Sequence, residues 1–171
     1  NTVVGFWDNV GNVGNGIRIW ADDTTGFGAT VTGNSLSRNN ISIEKVNELT
    51  LTGNIVDAQG EWGGPAGPTA FSAIQLAEAN SSTITGNAAY CRAVIPDGIA
   101  LYASTTHTVT GNHVLYPTAR GIFASAASPI SSANAMQQFT IEGNTINGWL
   151  NENTAPTAIG IEIGGTEDNG A

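Results

Sequence analysis

The sequence predicts an all-β solenoid in which three short strands per coil stack into parallel sheets. Three observations predict it. A Thr-x-Thr-Gly-Asn string recurs at residues 30–34, 50–54, 83–87 and 108–112, and again at 140–144 with Glu142 in the second Thr place. A second kind of string, alternating apolar and variable residues, lies between these copies, as half-buried strands require. The spacing from the leading Ile of that string to the centre of the next Thr-x-Thr is 10 residues in three units (41 to 51, 74 to 84, 99 to 109). A pattern repeated so often along one chain is architecture before it is chemistry.

The first strand of each unit reads Gly16-Ile17-Arg18-Ile19, Ile41-Ser42-Ile43, Ile74-Gln75-Leu76, Gly98-Ile99-Ala100-Leu101, Gly121-Ile122-Phe123-Ala124 or Gly160-Ile161-Glu162-Ile163. Its leading Ile residues are expected to point inward in one column. The second strand is the Thr-x-Thr string, with a worn copy expected at Thr2-Val3-Val4-Gly5, where Phe6 replaces the Asn. The Gly-Asn that follows is the signature of a tight corner, because Gly and Asn adopt positive φ most readily. Stacked Asn34, Asn54, Asn87, Asn112 and Asn144 are expected to hydrogen-bond along that corner as a ladder. A third strand follows, each copy with one inward apolar residue: Leu36, Val56, Ala89, Val114 and Ile146. Two-residue hairpins would not produce three strand types in fixed order. Stacked coils do.

Composition narrows the function classes. The chain has 171 residues and reads as a single domain, residues 1–171; only 11% are charged and 22 are Gly, which suits strands and turns rather than helices. The formal net charge is −9, with Lys45, Arg18, Arg38, Arg92 and Arg120 as the cations. A surface of that sign with no basic stripe argues against nucleic acid and anionic membrane as partners. No apolar run is long enough to span a bilayer. Cys91 is the single cysteine, so no internal disulfide forms, and it reads as a small buried apolar residue. Neither end shows a capping segment, initiator Met or signal peptide. The chain is therefore expected to be a piece of a longer helix, its ends covered by flanking domains or by neighbours in a homotrimer.

These repeats resemble the pectin-lyase-like superfamily of right-handed parallel β-helices, whose coils read much like residues 98–112, "GIALYASTTHTVTGN". The resemblance covers nearly the whole chain. It implies about six right-handed coils with three short parallel sheets. It implies function only loosely, because polysaccharide lyases, glycoside hydrolases, epimerases, phage tailspikes and adhesins share the coil.

Excess residues collect at 21–28, 57–70, 126–138 and 148–158. Insertions into a solenoid build walls over one face, and these flank the outer face of the first strands. The first outward column there reads Arg18, Ser42, Gln75, Ala100, Phe123, Glu162; the second reads Trp20, Glu44, Ala77, Tyr102, Ser125, Gly164. Coils about 4.8 Å apart match successive sugar rings. Aromatic faces stack on sugars, and acid, amide and guanidinium groups bond their hydroxyls. Arg18, Trp20, Gln75, Tyr102, Phe123 and, on the 57–70 wall, Trp62 are the candidate polysaccharide-binding residues. An exposed face carrying an ordinary mixture of residues accounts for the same columns.

For catalysis, glycoside hydrolysis needs two carboxylates roughly 5–9.5 Å apart, and Glu44 with Asp22 and Asp23 are the candidates. A β-elimination lyase would need a base and a cation, for which Arg18 and Lys45 are the basic residues at hand. An enzyme on this face would be a polysaccharide depolymerase of one of these two kinds. Lys45 stands beside Glu78 by register, so an ion pair explains that Glu. His107 and His113 read as structural. No cofactor or metal is expected except structural calcium at residues 21–26 or 167–170, where solvated acidic loops are the plainer explanation. The leading expectation is glycan recognition by a tailspike-like or secreted polysaccharide-active protein, extracellular or on a virion surface. Two other readings are a passive shaft of a fibre or adhesin, and ice binding by the Thr rows.

Overall fold

In the computed structural model, residues 2–4, 15–20, 26–59, 72–92, 97–103, 105–125, 138–147 and 159–164 are described. They form a parallel β-helix without a helical segment among them. The first sheet stacks Asn15–Trp20, Asn40–Glu44, Ser72–Ala77, Asp97–Tyr102, Arg120–Ser125 and Ile159–Gly164 in chain order. The second stacks Thr30–Thr32, Thr50–Thr52, Asn80–Thr85, Thr105–Thr110 and Thr140–Glu142. The third stacks Thr2–Val4, Ser35–Ser37, Ile55–Gln59, Ala88–Arg92, His113–Leu115 and Thr145–Asn147. A two-stranded ribbon, Gly26–Phe27 with Val46–Asn47, sits at the corner between the first and second sheets.

Register follows the alternation in the sequence. Ile17, Ile41, Ile74, Ile99, Ile122 and Ile161 pair in one column. Val31, Leu51, Ile84, Val109 and Ile141 pair in another. Leu36, Val56, Ala89, Val114 and Ile146 pair in the third. The central members of all three columns are fully buried, and hydrophobic burial supplies the main drive for coil on coil. Ile161 keeps the register but is 46% exposed, because among the described residues no further strand lies beyond it.

The copy expected at Thr2-Val3-Val4 belongs elsewhere. Thr2–Val4 pairs with Ser35–Ser37 in the third sheet, Val3 beside Leu36. A three-residue string centred on Val fits either strand type; only a following Gly-Asn marks the second, and Gly5-Phe6 lacks it.

The corner after the second strand shows why Gly-Asn recurs. Gly33, Gly53, Gly86, Gly111 and Gly143 all have φ of 63–64°, a conformation that costs other residues energy. The Asn after each Gly turns inward. Asn54 donates its backbone N–H and its Nδ2 to Asn87 Oδ1, both at 2.9 Å, and a second Nδ2 hydrogen to the Val31 carbonyl at 2.9 Å. Asn87 does the same toward Asn112 Oδ1 (2.9 and 3.0 Å) and Leu51 O (2.9 Å), and Asn112 toward Asn144 Oδ1 and Ile84 O (each 2.9 Å). Each interior Asn side chain thus spends two donors and two acceptor sites while fully buried.

Two further corners were not visible in the sequence. Gly28, Glu48, Ser81, Thr106 and Gln138 form one column with φ of 52–56°, and Lys45, Glu78 and Ala103 another with φ of 50–57°. Most are not Gly. Hydrogen bonds between coils hold them there, including Lys45 N–H to Ala77 O and Glu48 N–H to Asn80 O, both 2.9 Å. Lys45 and Glu78 share a corner but form no ion pair among the described residues. Gly98 has a different reason to be Gly: a Cβ there would lie 2.2 Å from Val114 Cγ1 and 2.6 Å from the Gly121 carbonyl.

Asn87→Ala should destabilise the fold by several kcal/mol, roughly 1–3 for each buried partner left unsatisfied. Thr83→Val, on the exposed face of the same coil, should change stability by no more than about 0.5 kcal/mol. Urea unfolding of the two variants checks the contrast.

Candidate functional site

The outer face of the first sheet carries both predicted columns in register. Arg18, Ser42, Gln75, Ala100, Phe123 and Glu162 pair in sequence, as do Trp20, Glu44, Ala77, Tyr102, Ser125 and Gly164. At one end Trp20 is 55% exposed, and the Arg18 guanidinium stands 6.0 Å from its ring centroid. Glu44 and Gln75 are half-buried in the next two coils. The candidates Asp22, Asp23 and Trp62 lie outside the described residues, as do both proposed calcium loops apart from Gly26.

The other end of the face is closed by an ion-pair cluster that sequence reasoning missed. Asp97 is fully buried. The Arg120 fork grips it from the next coil, Nε to Oδ1 at 2.7 Å and Nη2 to Oδ2 at 2.8 Å. Tyr102 donates its hydroxyl to Asp97 Oδ2 at a long 3.4 Å. Burial pushes the Asp97 carboxyl up, against the pull of Arg120 and Tyr102. Burial likewise lowers Arg120, but Asp97 outweighs it and the guanidinium is held above its ordinary range. The two contacts have the fork geometry of a bidentate pair. A column drawn two residues upstream of Ile99 and Ile122 would have shown the opposite charges side by side.

That cluster changes the reading of Phe123. The Arg120 guanidinium lies 3.5 Å from its ring centroid, and Tyr102 meets it edge-on at 5.4 Å between centroids. Phe123 is only 9% exposed, so it has no free face for a sugar and serves as the cluster's floor. Tyr102 is half-buried, and its phenol is pushed up by burial and then by Asp97. Glu162 completes the group, with Oε2 3.9 Å from Arg120 Nη1.

The two histidines sit apart from this face, and Cys91 lies behind it, its thiol donating to the Asp97 carbonyl at 3.6 Å. His107 lies inside the second sheet at 1% exposure, its ring 5.3 Å from Phe139. Neither ring nitrogen completes a hydrogen bond, although the backbone of Ala79 and Ser82 is near enough to offset part of the effect of burial, which pushes the imidazole down to about 4. His113 is exposed on the third sheet. Cys91 is buried, and burial, then Asp97, raises its thiol well above the usual range. On the second sheet the Thr rows are in register and largely exposed, until Glu142 replaces the Thr110 position.

Fold and face together define a parallel β-helix protein with one outward sheet bearing an exposed indole at one end and a charged latch at the other. Over residues 1–162 the chain matches the family described as NosD, periplasmic copper-binding protein, and it belongs to that family. No curated protein and no solved structure matches it. Copper is held by imidazole, thiolate or thioether groups brought together in one place. The described residues do not fit that need: Cys91 is a buried neutral thiol, His107 is enclosed against Phe139 in the second sheet, and His113, though on the strand beside that of Cys91, is exposed to solvent. No group of three or more His, Cys, Asp or Glu able to hold a metal occurs among them.

Two outcomes are expected. Arg120→Ala should cost about 3–5 kcal/mol by stranding a buried carboxylate, and Asp97→Ala in the same chain should recover much of that loss in a double-mutant cycle. His107 is neutral when folded and binds a proton near pH 6.5 when unfolded. Stability should therefore fall as pH drops from about 6.5 to about 4 and level off below, by up to roughly 3 kcal/mol from this group. His107→Leu should flatten that part of the pH–stability curve measured by thermal melts.

Proposed function

We propose that the outer face of the first sheet binds an extended neutral polysaccharide along the coil axis, as part of a tailspike-like or secreted protein working outside the cytoplasm. The observation that carries the reading is Trp20: a large ring, 55% exposed, on the outward side of the first sheet with the Arg18 guanidinium beside it. In its column stand Glu44, Ala77 and Tyr102, with Arg18 and Gln75 beside it. The four strands from Trp20 to Tyr102, at about 4.8 Å spacing, span about 14 Å, room for a short stretch of sugar rings. A family described as periplasmic is compatible with that location. The negative charge and scarcity of cations favour an uncharged glycan.

The function proposed is binding rather than turnover. On this face the described carboxylates open to solvent are Glu44 and Glu162, separated by four coil steps or about 19 Å. A hydrolase pair works at roughly 5–9.5 Å. Asp97 is committed to Arg120. The copper role in the family's description finds no ligand set among the described residues.

Trp20→Ala should weaken binding of a neutral oligosaccharide by about 1–3 kcal/mol, the scale of a lost aromatic contact, with no change in melting temperature. Binding should also be nearly insensitive to salt. A glycan array followed by titration calorimetry reads both. No ligand for the wild type, or equal affinity in the variant, would favour a passive shaft instead.

A further inference from the structure

The geometry points to Glu162 as a selectivity gate that keeps acidic sugars off Arg120. The inference rests on the first-sheet face being the ligand-bearing one and goes further by naming the residue that sorts ligands by charge.

Arg120 has three guanidinium nitrogens. Nε and Nη2 are taken by Asp97 at 2.7 and 2.8 Å. The ring of Phe123 lies against the guanidinium plane, 3.5 Å from Cζ to centroid. The guanidinium is thus immobilised, and Nη1 is the nitrogen that Asp97 leaves over. Such a held, charged donor on a sugar-binding face is the natural partner of a ligand carboxylate. Its side chain retains 25% exposure, enough for contact from outside.

Glu162 stands in front of that nitrogen. It lies in the outward column directly beside Phe123, one coil beyond Arg120, and places Oε2 3.9 Å from Nη1. The distance is too long for a strong hydrogen bond, and the side chain is 39% exposed. The pair therefore contributes little to stability. What it does is present a negative charge where an anionic ligand would approach. Asp97 already neutralises Arg120, so Glu162 leaves the three-residue cluster with a net negative charge. A uronate would meet like charge at this held donor, whereas a neutral ring would find a donor in Nη1 and an acceptor in Oε2 for adjacent hydroxyls. Specificity of this kind comes from a repulsive element rather than from a better contact.

The test uses wild type, Glu162→Gln and Glu162→Ala, each titrated with a neutral β-glucan hexasaccharide and with a hexauronate. Both substitutions fall on a partly exposed side chain, so folding should be preserved, as melting curves would show. The wild type should not bind the hexauronate. Both variants should gain affinity for it by about tenfold or more, and high salt should erase the gain because it is charge pairing. The inference is overturned if neither variant gains uronate binding, or if the wild type already binds uronate as tightly as they do. The neutral probe reports on the face as a whole: a uronate gain without any neutral binding upholds the gate and removes the neutral-glycan reading.

Discussion

The stacked asparagines are the constraint on which the other parts of this structure depend. A buried amide without partners would cost more than most single contacts in the protein supply. Here each interior Asn has both its amide hydrogens and its oxygen committed to the coils above and below. The network closes only if successive coils keep the same height and the same corner. Asn neighbours in the ladder are 20, 33, 25 and 32 residues apart along the chain. Coil length varies by more than half, yet the ladder geometry does not. In the sequence the extra residues fall between strands and not at the Gly-Asn corner.

With the inner surface held this way, the outer faces are free to differ. The Ile column repeats almost without change, while the columns beside it change at every coil. The second sheet spends its outward positions on Thr, which suits a strand and leaves a uniform surface. The first sheet spends them on an indole, carboxylates, an amide and a phenol. Among the described residues, only there does a buried charge pair interrupt the apolar logic of the coil. Asp97 pairs with Ser72 of the preceding coil, and it is tolerable only because Arg120 arrives in the next coil with a matching fork.

Membership in the NosD family and the chemistry of this chain speak to different levels of the molecule. The match runs along the repeats, and the repeats are the part of the sequence that builds the coil. Metal chemistry would instead have to live in the outward side chains or in connections. In the described coils those places hold Thr, Ser, Asn and scattered acids rather than clustered His and Cys. The scaffold is shared, and what is displayed on it decides the ligand.

By itself the sequence determined the inward half of this protein. Alternation with period two, a Gly-Asn after each second strand and an Ile-to-Thr spacing of 10 residues in three of the units are local signals, repeated along the chain. Three sheets, the register of the Ile column and the Asn ladder all follow from that repetition. Even the columns of the first-sheet face were legible, since outward residues are simply the neighbours of inward ones. Only the tertiary structure decided what depends on neighbours from different coils. Thr2–Val4 went to the third sheet because its apolar centre matched Leu36 and no Gly-Asn held it in the second. Glu48, Ser81 and Thr106 accept positive φ because bonds between coils outweigh their own preference. Phe123, one of a row of outward residues in the sequence, disappears beneath Arg120 because residues 23 apart meet at Asp97. A periodic signal fixes the direction in which a side chain points; what it finds there is set by the length of the connection to the next coil, and no local pattern encodes that.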